Sequence, residues 1–226
     1  MDVADFDFKA ALAAERRDDR RAGALFAKAC ADGDVAAFYA AIGELSGTVN
    51  GWYHAMRLVG RRDHVSDRIK GVFLPIWIEH KNLPLTVGHR PTMAKALRVL
   101  MPRNYSGPAL PLYRGTTAGE RRRHLYGFSW TARLEIARDK FAEQRSHSSD
   151  AVVLETLAPP EAILHVRRER DYFDEDEVVV DPFRLGQVKV LARLPGRSTD
   201  EMKEMKGCST SLTRSPNANP PPRMPL

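Results

Sequence analysis

The spacing of apolar residues changes near residue 110, and this change restricts the possible folds more than any other feature of the sequence. Before it, apolar residues recur every three or four positions, which is the period of an amphipathic helix. After it, apolar runs are short and are separated by turn residues, which is typical of strands with short connections. A block of helices followed by a block of strands predicts an α+β protein built from two regions.

The first region, residues 1–105, is predicted to be helical. One of its helices has an apolar face formed by Val35, Phe38, Tyr39, Ile42 and Leu45. Asn50-Gly51 then indicates a turn, and Pro75 is expected to kink or end a later helix. Pro91 is expected to begin the last helix, because proline is favoured in the first helical turn. The charged segment 8–29 is weakly periodic and is also expected to be helical.

The second region, residues 106–195, is predicted to hold six strands, at 111–115, 125–130, 151–157, 163–167, 177–181 and 187–194. The last strand is the clearest, because apolar residues from Val188 to Leu194 alternate with polar ones. A helix is expected between the second and third strands, with Thr131 as its N-cap. Residues 196–226 contain five prolines in the final 11 positions and are expected to be disordered.

Composition excludes several classes of protein. The 35 basic and 29 acidic residues give a net charge of +6, which suits an anionic ligand but is too small to indicate nucleic acid. Cys30 and Cys208 are far apart and indicate no disulfide framework, and the seven histidines show no metal-ligand spacing. The sequence has no signal core and no run near the ~18 apolar residues of a membrane span. We expect a soluble protein that is cytoplasmic when made, with secretion or delivery by another route left open.

Arg114 lies among apolar neighbours on a predicted strand, in Leu112-Tyr113-Arg114-Gly115. A guanidinium presents a planar fork of donors that matches phosphate or carboxylate, and its charge is not lost at neutral pH. The plainer interpretation is a half-exposed arginine paired with a local acid. Arg114 is a candidate anion-binding residue on the first interpretation only.

Ser129-Trp130-Thr131 ends the second predicted strand and precedes the predicted helix. Capping that helix is sufficient to explain Thr131. Ser129 is still on the strand and has no such local role, so its hydroxyl is free to orient a carboxylate or a ligand hydroxyl.

Glu175 and Glu177 lead into the strand that contains Val178-Val179-Val180. Residues two apart in a strand point to the same face, so the two carboxylates are expected to converge. Neighbouring carboxylates can be pushed towards different chemical roles. Tyr172 and Phe173 add aromatic rings beside them, which suits a loop that contacts a substrate better than plain solvated surface.

Taken in this order, the three motifs resemble the arginine–serine–glutamate class of mono-ADP-ribosyltransferases, which includes bacterial toxins, phage enzymes and vertebrate ecto-enzymes. The resemblance covers roughly residues 90–194. It rests on Leu-Tyr-Arg-Gly-Thr at 112–116, Phe-Ser-Trp-Thr at 128–131 and Glu-Asp-Glu-Val-Val-Val at 175–180. It implies a split β-sandwich core at 106–195 and NAD as co-substrate.

The resemblance also implies roles for single residues. The residues expected to contact NAD are Arg114, Tyr113, Gly115, Ser129, Trp130 and Thr131. Arg114 would hold a phosphate of NAD, and Ser129 would position the nicotinamide end and the catalytic acid. The family's usual Ser-Thr-Ser is Ser-Trp-Thr here, so the nicotinamide pocket is expected to differ in shape, with Trp130 as a candidate for the ring that stacks on nicotinamide.

On the acidic motif, the resemblance implies that Glu177 accepts a hydrogen bond from the 2′-hydroxyl of the nicotinamide ribose. Glu175 would orient and deprotonate an acceptor guanidinium, and Tyr172 and Phe173 would contact the target. A carboxylate at Glu177 would stabilise the positive charge that develops on the ribose as the bond to nicotinamide breaks.

We therefore expect mono-ADP-ribosyl transfer from NAD to a macromolecular acceptor, protein arginine in the first instance, with release of nicotinamide. A toxin or effector is the setting that the resemblance suggests. Three alternatives stay open, namely an NAD glycohydrolase, a binding module of the same fold without activity, and transfer to nucleic acid. An inhibitory partner is compatible with all of them.

Overall fold

The computed structural model describes residues 7–167 and 176–196. Within these ranges, six helices precede the first strand, and they are α1 (Phe8–Asp32), α2 (Val35–Ser46), α3 (Gly51–Val59), α4 (Asp67–Glu79), α5 (Leu83–Val87) and α6 (Arg90–Leu100). The predicted helical character of the first region is confirmed for residues from 8 onward. The short helix α5 was not predicted.

Capping side chains explain where the longer helices begin. The carboxylate of Asp7 accepts a hydrogen bond from the backbone N–H of Ala10, and that of Asp34 accepts one from Ala37. Such caps satisfy backbone donors that have no partner within the helix. Boundaries that the apolar periodicity left vague are therefore fixed by single polar residues.

Helix α4 does not end at Pro75, but continues for another turn to Glu79. Proline costs the helix one backbone hydrogen bond. The burial of Phe73, Ile76 and Trp77 on the same helix offsets this cost. Tertiary packing thus overrides the local preference of proline, and it places Trp77 beyond the point where the helix was expected to end.

The second region forms one antiparallel sheet with the order β4-β5-β2-β1-β3-β6. Its strands are β1 (Leu110–Thr117), β2 (Ser129–Thr131), β3 (Ala151–Ala158), β4 (Ile163–Val166), β5 (Glu177–Val180) and β6 (Val188–Leu194). Every predicted strand is present, and the α+β class is confirmed. Strand β2 is shorter than predicted, because Leu125 bonds back to Glu120 of the short helix α7 (Ala118–Arg122).

The sheet consists of two three-stranded halves that meet across one residue pair. Strands β1 and β3 pair over their whole length, whereas β1 and β2 pair only at Tyr113 and Thr131. The halves are therefore β4-β5-β2 and β1-β3-β6. Backbone pairing between them is weak, because it is limited to this one residue pair.

The predicted helix after Thr131 is present; it begins at Leu134, passes through a π-helical stretch, Ile136–Ala142, and continues into α8 (Glu143–Ser146). Gly115 of β1 packs directly on this stretch. A Cβ at Gly115 would overlap backbone atoms of Ala137 and Ala142. The close contact between strand and helix therefore requires glycine at this position.

The helical region and the sheet share a hydrophobic core. Phe128, Leu164 and Val179 of the second region are buried together with the helical side chains. A second core lies on the other side of β5 and β2 and contains Val178 and Trp130. Opposite faces of the same strands thus bury different partners, as the two-residue period of a strand requires.

Residues 196–226 were predicted to be disordered. All of them except residue 196 lie outside the described residues, so this stays a prediction.

A buried ion pair also joins the two regions. The guanidinium of Arg98 on α6 contacts Asp181, with Nε 2.6 Å from Oδ2. Asp181 is fully buried directly after β5, and it also accepts a hydrogen bond from the N–H of Phe183 at 3.1 Å. Arg184 adds a second cation, with its Nε 3.4 Å from the same carboxylate. Asp181 therefore has partners in both regions.

We expect Asp181→Asn to lower the free energy of unfolding by about 3 kcal/mol, because it leaves the Arg98 charge without its partner in a largely buried position. Urea titration followed by circular dichroism measures the change. Asp67→Asn removes one partner of an exposed ion pair with Lys70 and serves as the control, with little expected effect. Equal losses in the two variants would contradict the assigned importance of the buried pair.

Cys30 is fully buried in α1, and this burial raises the pKa of its thiol to about 12. At pH 8 only roughly one thiol in ten thousand would then be the reactive thiolate. In a Cys208→Ser variant, which leaves Cys30 as the single thiol, we expect a disulfide reagent to react only after denaturant is added. Rapid reaction of the folded protein would show that Cys30 is accessible.

Candidate active site

Arg114, Ser129 and Glu177 lie on three neighbouring strands at the centre of the sheet, β1, β2 and β5. The register aligns Tyr113 with Thr131, and Thr131 with Glu177. Each of the three candidates is therefore at this level of the sheet or within two residues of it. The structure brings together the residues that the sequence motifs had separated by up to 63 positions (114 to 177).

Arg114 bridges the junction between the two halves of the sheet. Its Nη1 donates a hydrogen bond to the backbone carbonyl of Ser129 on β2. Its guanidinium lies against Gly127, where a Cβ would overlap it and come within 2.8 Å of Nη1. Gly127 therefore provides the space that the guanidinium occupies, and the residue was not recognised in the sequence.

The guanidinium of Arg114 is poorly neutralised by its surroundings. Its Nε is inaccessible to solvent and has no hydrogen-bond partner. The pKa of Arg114 is lowered to about 10, chiefly by burial; the charges of Arg145 and Arg90 also lower it, whereas those of Glu120 and Glu177 oppose the shift. The side chain still carries its charge at neutral pH. A half-buried cation that its neighbours neutralise only in part favours an anionic ligand.

Arg90 and Arg145 extend this positive charge around Glu120. Arg90 is the first residue of α6, and its guanidinium carbon lies 5.9 Å from the ring centroid of Phe183. Arg145 is on α8, with Nη1 3.9 Å from the Glu120 carboxylate. Neither arginine was singled out in the sequence, because each comes from an element distant in the chain from β1.

Glu120 is held in place by the end of β1. Its carboxylate accepts hydrogen bonds from the hydroxyl of Thr116 and from the N–H of Thr117 at 3.2 Å. Burial would raise the pKa of Glu120, but these two hydrogen bonds, with the charges of Arg145 and Arg114, lower it overall. The Thr-x-x-Glu spacing of a capping box was the sequence signal for this arrangement.

Ser129 and Glu177 belong to the face of β2 and β5 that meets the helical region. Ser129 is aligned with Val179, which lies two residues after Glu177 and therefore on the same face. The indole Nε1 of Trp77 donates a hydrogen bond to Glu177 Oε1 at 3.4 Å. Tyr113 is aligned with Thr131 and, through it, with Glu177, so Arg114 starts from the face of the sheet opposite to Ser129 and Glu177. Its guanidinium reaches β2 by donating a hydrogen bond to the backbone carbonyl of Ser129.

Trp130 is a core residue. Its ring is buried in the second core, on the opposite face of β2 to Ser129, and its Nε1 donates a hydrogen bond to the carbonyl of Gly127 at 3.0 Å. The ring therefore does not face Ser129 and Glu177, and we assign it to packing. The alternation of side chains along the strand already contained this information.

The other residues expected to contact NAD have clear structural roles. Gly115 is required by the contact with the π-helical stretch. Tyr113 packs on the same side of β1, against a hydrophobic cluster that includes residues of this stretch. Thr131 is buried, and its hydroxyl accepts a hydrogen bond from the N–H of Arg133 at 3.1 Å, in the turn before the helix. Contacts of these three residues with NAD stay a prediction.

Glu175, Tyr172 and Phe173 lie outside the described residues. The chain resumes at Asp176, whose φ of 42° is in the left-handed region. Asp176 also lies 3.6 Å from Arg133, measured from Oδ2 to Nη1. The roles of the first glutamate and of the aromatic pair therefore stay predictions.

Two further results concern the described ranges, 7–167 and 176–196, alone. None of their helices has the length and apolar character needed to cross a membrane. They contain no group of three or more histidine, cysteine or acidic side chains arranged to hold a metal ion.

The chain matches no protein-family model, no curated protein and no solved structure. The chemistry of the site therefore has to be argued from its own residues. These are an arginine that bridges the two halves of the sheet, two further arginines nearby, and a carboxylate on β5 that lies within one residue of Arg114 in the register.

We expect Gly127→Ala to lower stability by about 1–3 kcal/mol, because the new methyl group would overlap the Arg114 guanidinium and force it to move. Gly186→Ala is the matched control, since a Cβ there meets nothing within 4 Å. Thermal unfolding of the two variants makes the comparison. Equal melting temperatures would show that the Arg114 guanidinium is not held firmly against Gly127 and moves aside at little cost.

Proposed function

We propose that this chain is a mono-ADP-ribosyltransferase that moves ADP-ribose from NAD to a macromolecular acceptor, protein arginine, and releases nicotinamide. The observation that carries the proposal is the placement of Arg114, Ser129 and Glu177 on three neighbouring central strands. The resemblance of the three motifs gives this arrangement its chemical meaning. A toxin or effector setting rests on the resemblance alone.

The arginine cluster supports binding of the NAD diphosphate. Arg114 is a half-buried cation that the nearby carboxylates neutralise only in part, and Arg90 and Arg145 add positive charge nearby. Guanidinium groups match phosphate oxygens in geometry and keep their charge at neutral pH. Glu120 and Glu177 neutralise these arginines only in part. A diphosphate bound between the arginines would supply the remaining negative charge.

Glu177 supports the bond-breaking step. Cleavage of the nicotinamide–ribose bond sends the electron pair to the neutral nicotinamide and leaves positive charge on the ribose. An ionised carboxylate at the ribose stabilises that transition state more than the ground state. The nucleophilic nitrogen of the acceptor then bonds to the ribose carbon and loses a proton, for which the resemblance assigns Glu175 as base.

Two features of the fold support the same proposal. The division of the sheet into halves that share one residue pair agrees with the split β-sandwich that the resemblance implies. The burial of Trp130 removes the main argument for a binding module without activity, because its bulk does not fill the face that carries Ser129 and Glu177.

The test is incubation with NAD labelled in the ADP-ribose part, together with bacterial and eukaryotic lysates, measuring both labelled macromolecules and free nicotinamide. We expect labelled protein with the wild type. Glu177→Gln should lower both products by roughly 100-fold or more, because the carboxylate charge acts on the transition state. Glu161→Gln, at an exposed glutamate on the same region, is the matched control and should retain activity.

The outcomes separate the candidates. Nicotinamide release without label would indicate an NAD glycohydrolase, with water in place of the acceptor. Label that a nuclease removes would indicate transfer to nucleic acid. A wild type that consumes no NAD with any lysate would contradict the proposed activity.

A further inference from the structure

The helical region reaches the candidate catalytic acid through one side chain, Trp77 of α4. Its indole Nε1 donates to Glu177 Oε1 across 100 positions of sequence, at 3.4 Å. Trp77 is 5% exposed, so the ring is surrounded by protein and water has little access to it. This contact joins the two regions at a residue to which the proposed chemistry already gives a role.

The ring of Trp77 has a fixed orientation. It meets Phe128 edge to face, with ring centroids 6.3 Å apart and planes at 88°. Phe128 is itself fixed to β5, because its carbonyl accepts a hydrogen bond from the N–H of Val180 at 2.8 Å. Phe128 therefore links the indole donor to the strand that carries Glu177, because its ring contacts Trp77 and its carbonyl is hydrogen-bonded to β5.

We propose that Trp77 is a positioning residue for Glu177, an inference that rests on the function proposed above. A glutamate side chain has several rotamers, and a catalytic carboxylate is effective only when its productive orientation is already populated. The fixed indole N–H holds Oε1, which leaves Oε2 to accept the hydrogen bond from the ribose hydroxyl. The helical region thus supplies a part of the active site.

The length of the hydrogen bond fits this role. At 3.4 Å it is longer than the usual 2.7–3.2 Å for N–H···O. Hydrogen bonds of catalytic groups are often long without substrate and shorten in the complex. Binding of NAD would draw the carboxylate into the orientation that the indole favours.

Trp77→Phe tests the proposal, because phenylalanine retains an aromatic edge towards Phe128 and lacks the N–H. We expect kcat for NAD turnover to fall by about 10- to 100-fold, the range for loss of a hydrogen bond to a charged group, with KM for NAD within twofold of wild type. Trp52→Phe is the matched control, since Trp52 is also a buried tryptophan of the helical region but packs against Phe26. It should leave kcat unchanged.

A second measurement does not depend on activity. The protein has three tryptophans, so its ¹⁵N spectrum has three indole resonances, and Trp77→Phe identifies the relevant one. In Glu177→Gln, which keeps the shape and removes the charge, we expect the Trp77 indole proton to move upfield and that of Trp52 to stay in place.

The two measurements separate the inference from the function on which it rests. An unmoved Trp77 resonance would overturn the inference whatever the activity. A moved resonance, with kcat falling no more in Trp77→Phe than in Trp52→Phe, would overturn the positioning role and leave the transferase proposal standing. A moved resonance in a protein without NAD turnover would overturn both the function and the positioning role, with the contact itself confirmed.

Discussion

The arrangement of the site depends on how Arg114 crosses the narrow junction between the halves of the sheet. One backbone pair, Tyr113 with Thr131, is all that directly joins β1 to β2, and the guanidinium adds a hydrogen bond to the Ser129 carbonyl just beside it. This hydrogen bond stabilises the junction, and the charge of the half-buried guanidinium, which its neighbours neutralise only in part, suits an anionic ligand. Structural and binding roles are thus combined in one side chain, and Gly127 is small so that both are possible.

Contacts between the two regions explain how the site acquires its environment. The core continues from the helices into Phe128, Leu164 and Val179, and the Arg98–Asp181 pair adds a polar contact next to β5. Glu177 lies at the start of the same strand and contacts Trp77. The helical region therefore contacts both ends of the strand that carries the proposed acid. It supplies surroundings of this strand that residues 106–195 do not provide.

Local patterns predicted the elements well, because burial of one face imposes its period on the sequence. The helices of the first region other than α5 and all six strands were found in this way, and the three motif residues fell on neighbouring strands. The features that were missed depend on tertiary contacts. Of the two outcomes predicted for Pro75, an end of the helix is contradicted, because the packing of Phe73 and Trp77 extends α4 to Glu79. Arg90, Arg145 and Trp77 join the site from distant elements, which no local signal reveals. Trp130 is different, because strand alternation already placed it on the face opposite Ser129.

The separation between Trp77 and Glu177 has a consequence for the order in which the protein is completed during synthesis. The helices emerge first, and contacts such as those between α1 and α3 join nearby parts of the chain, so they can form early. The indole and the carboxylate are 100 positions apart, and β5 must also pair with β2 before they meet. A nascent chain that has already folded its helices would therefore still lack the contact between Trp77 and Glu177 until β5 has been translated and has paired with β2.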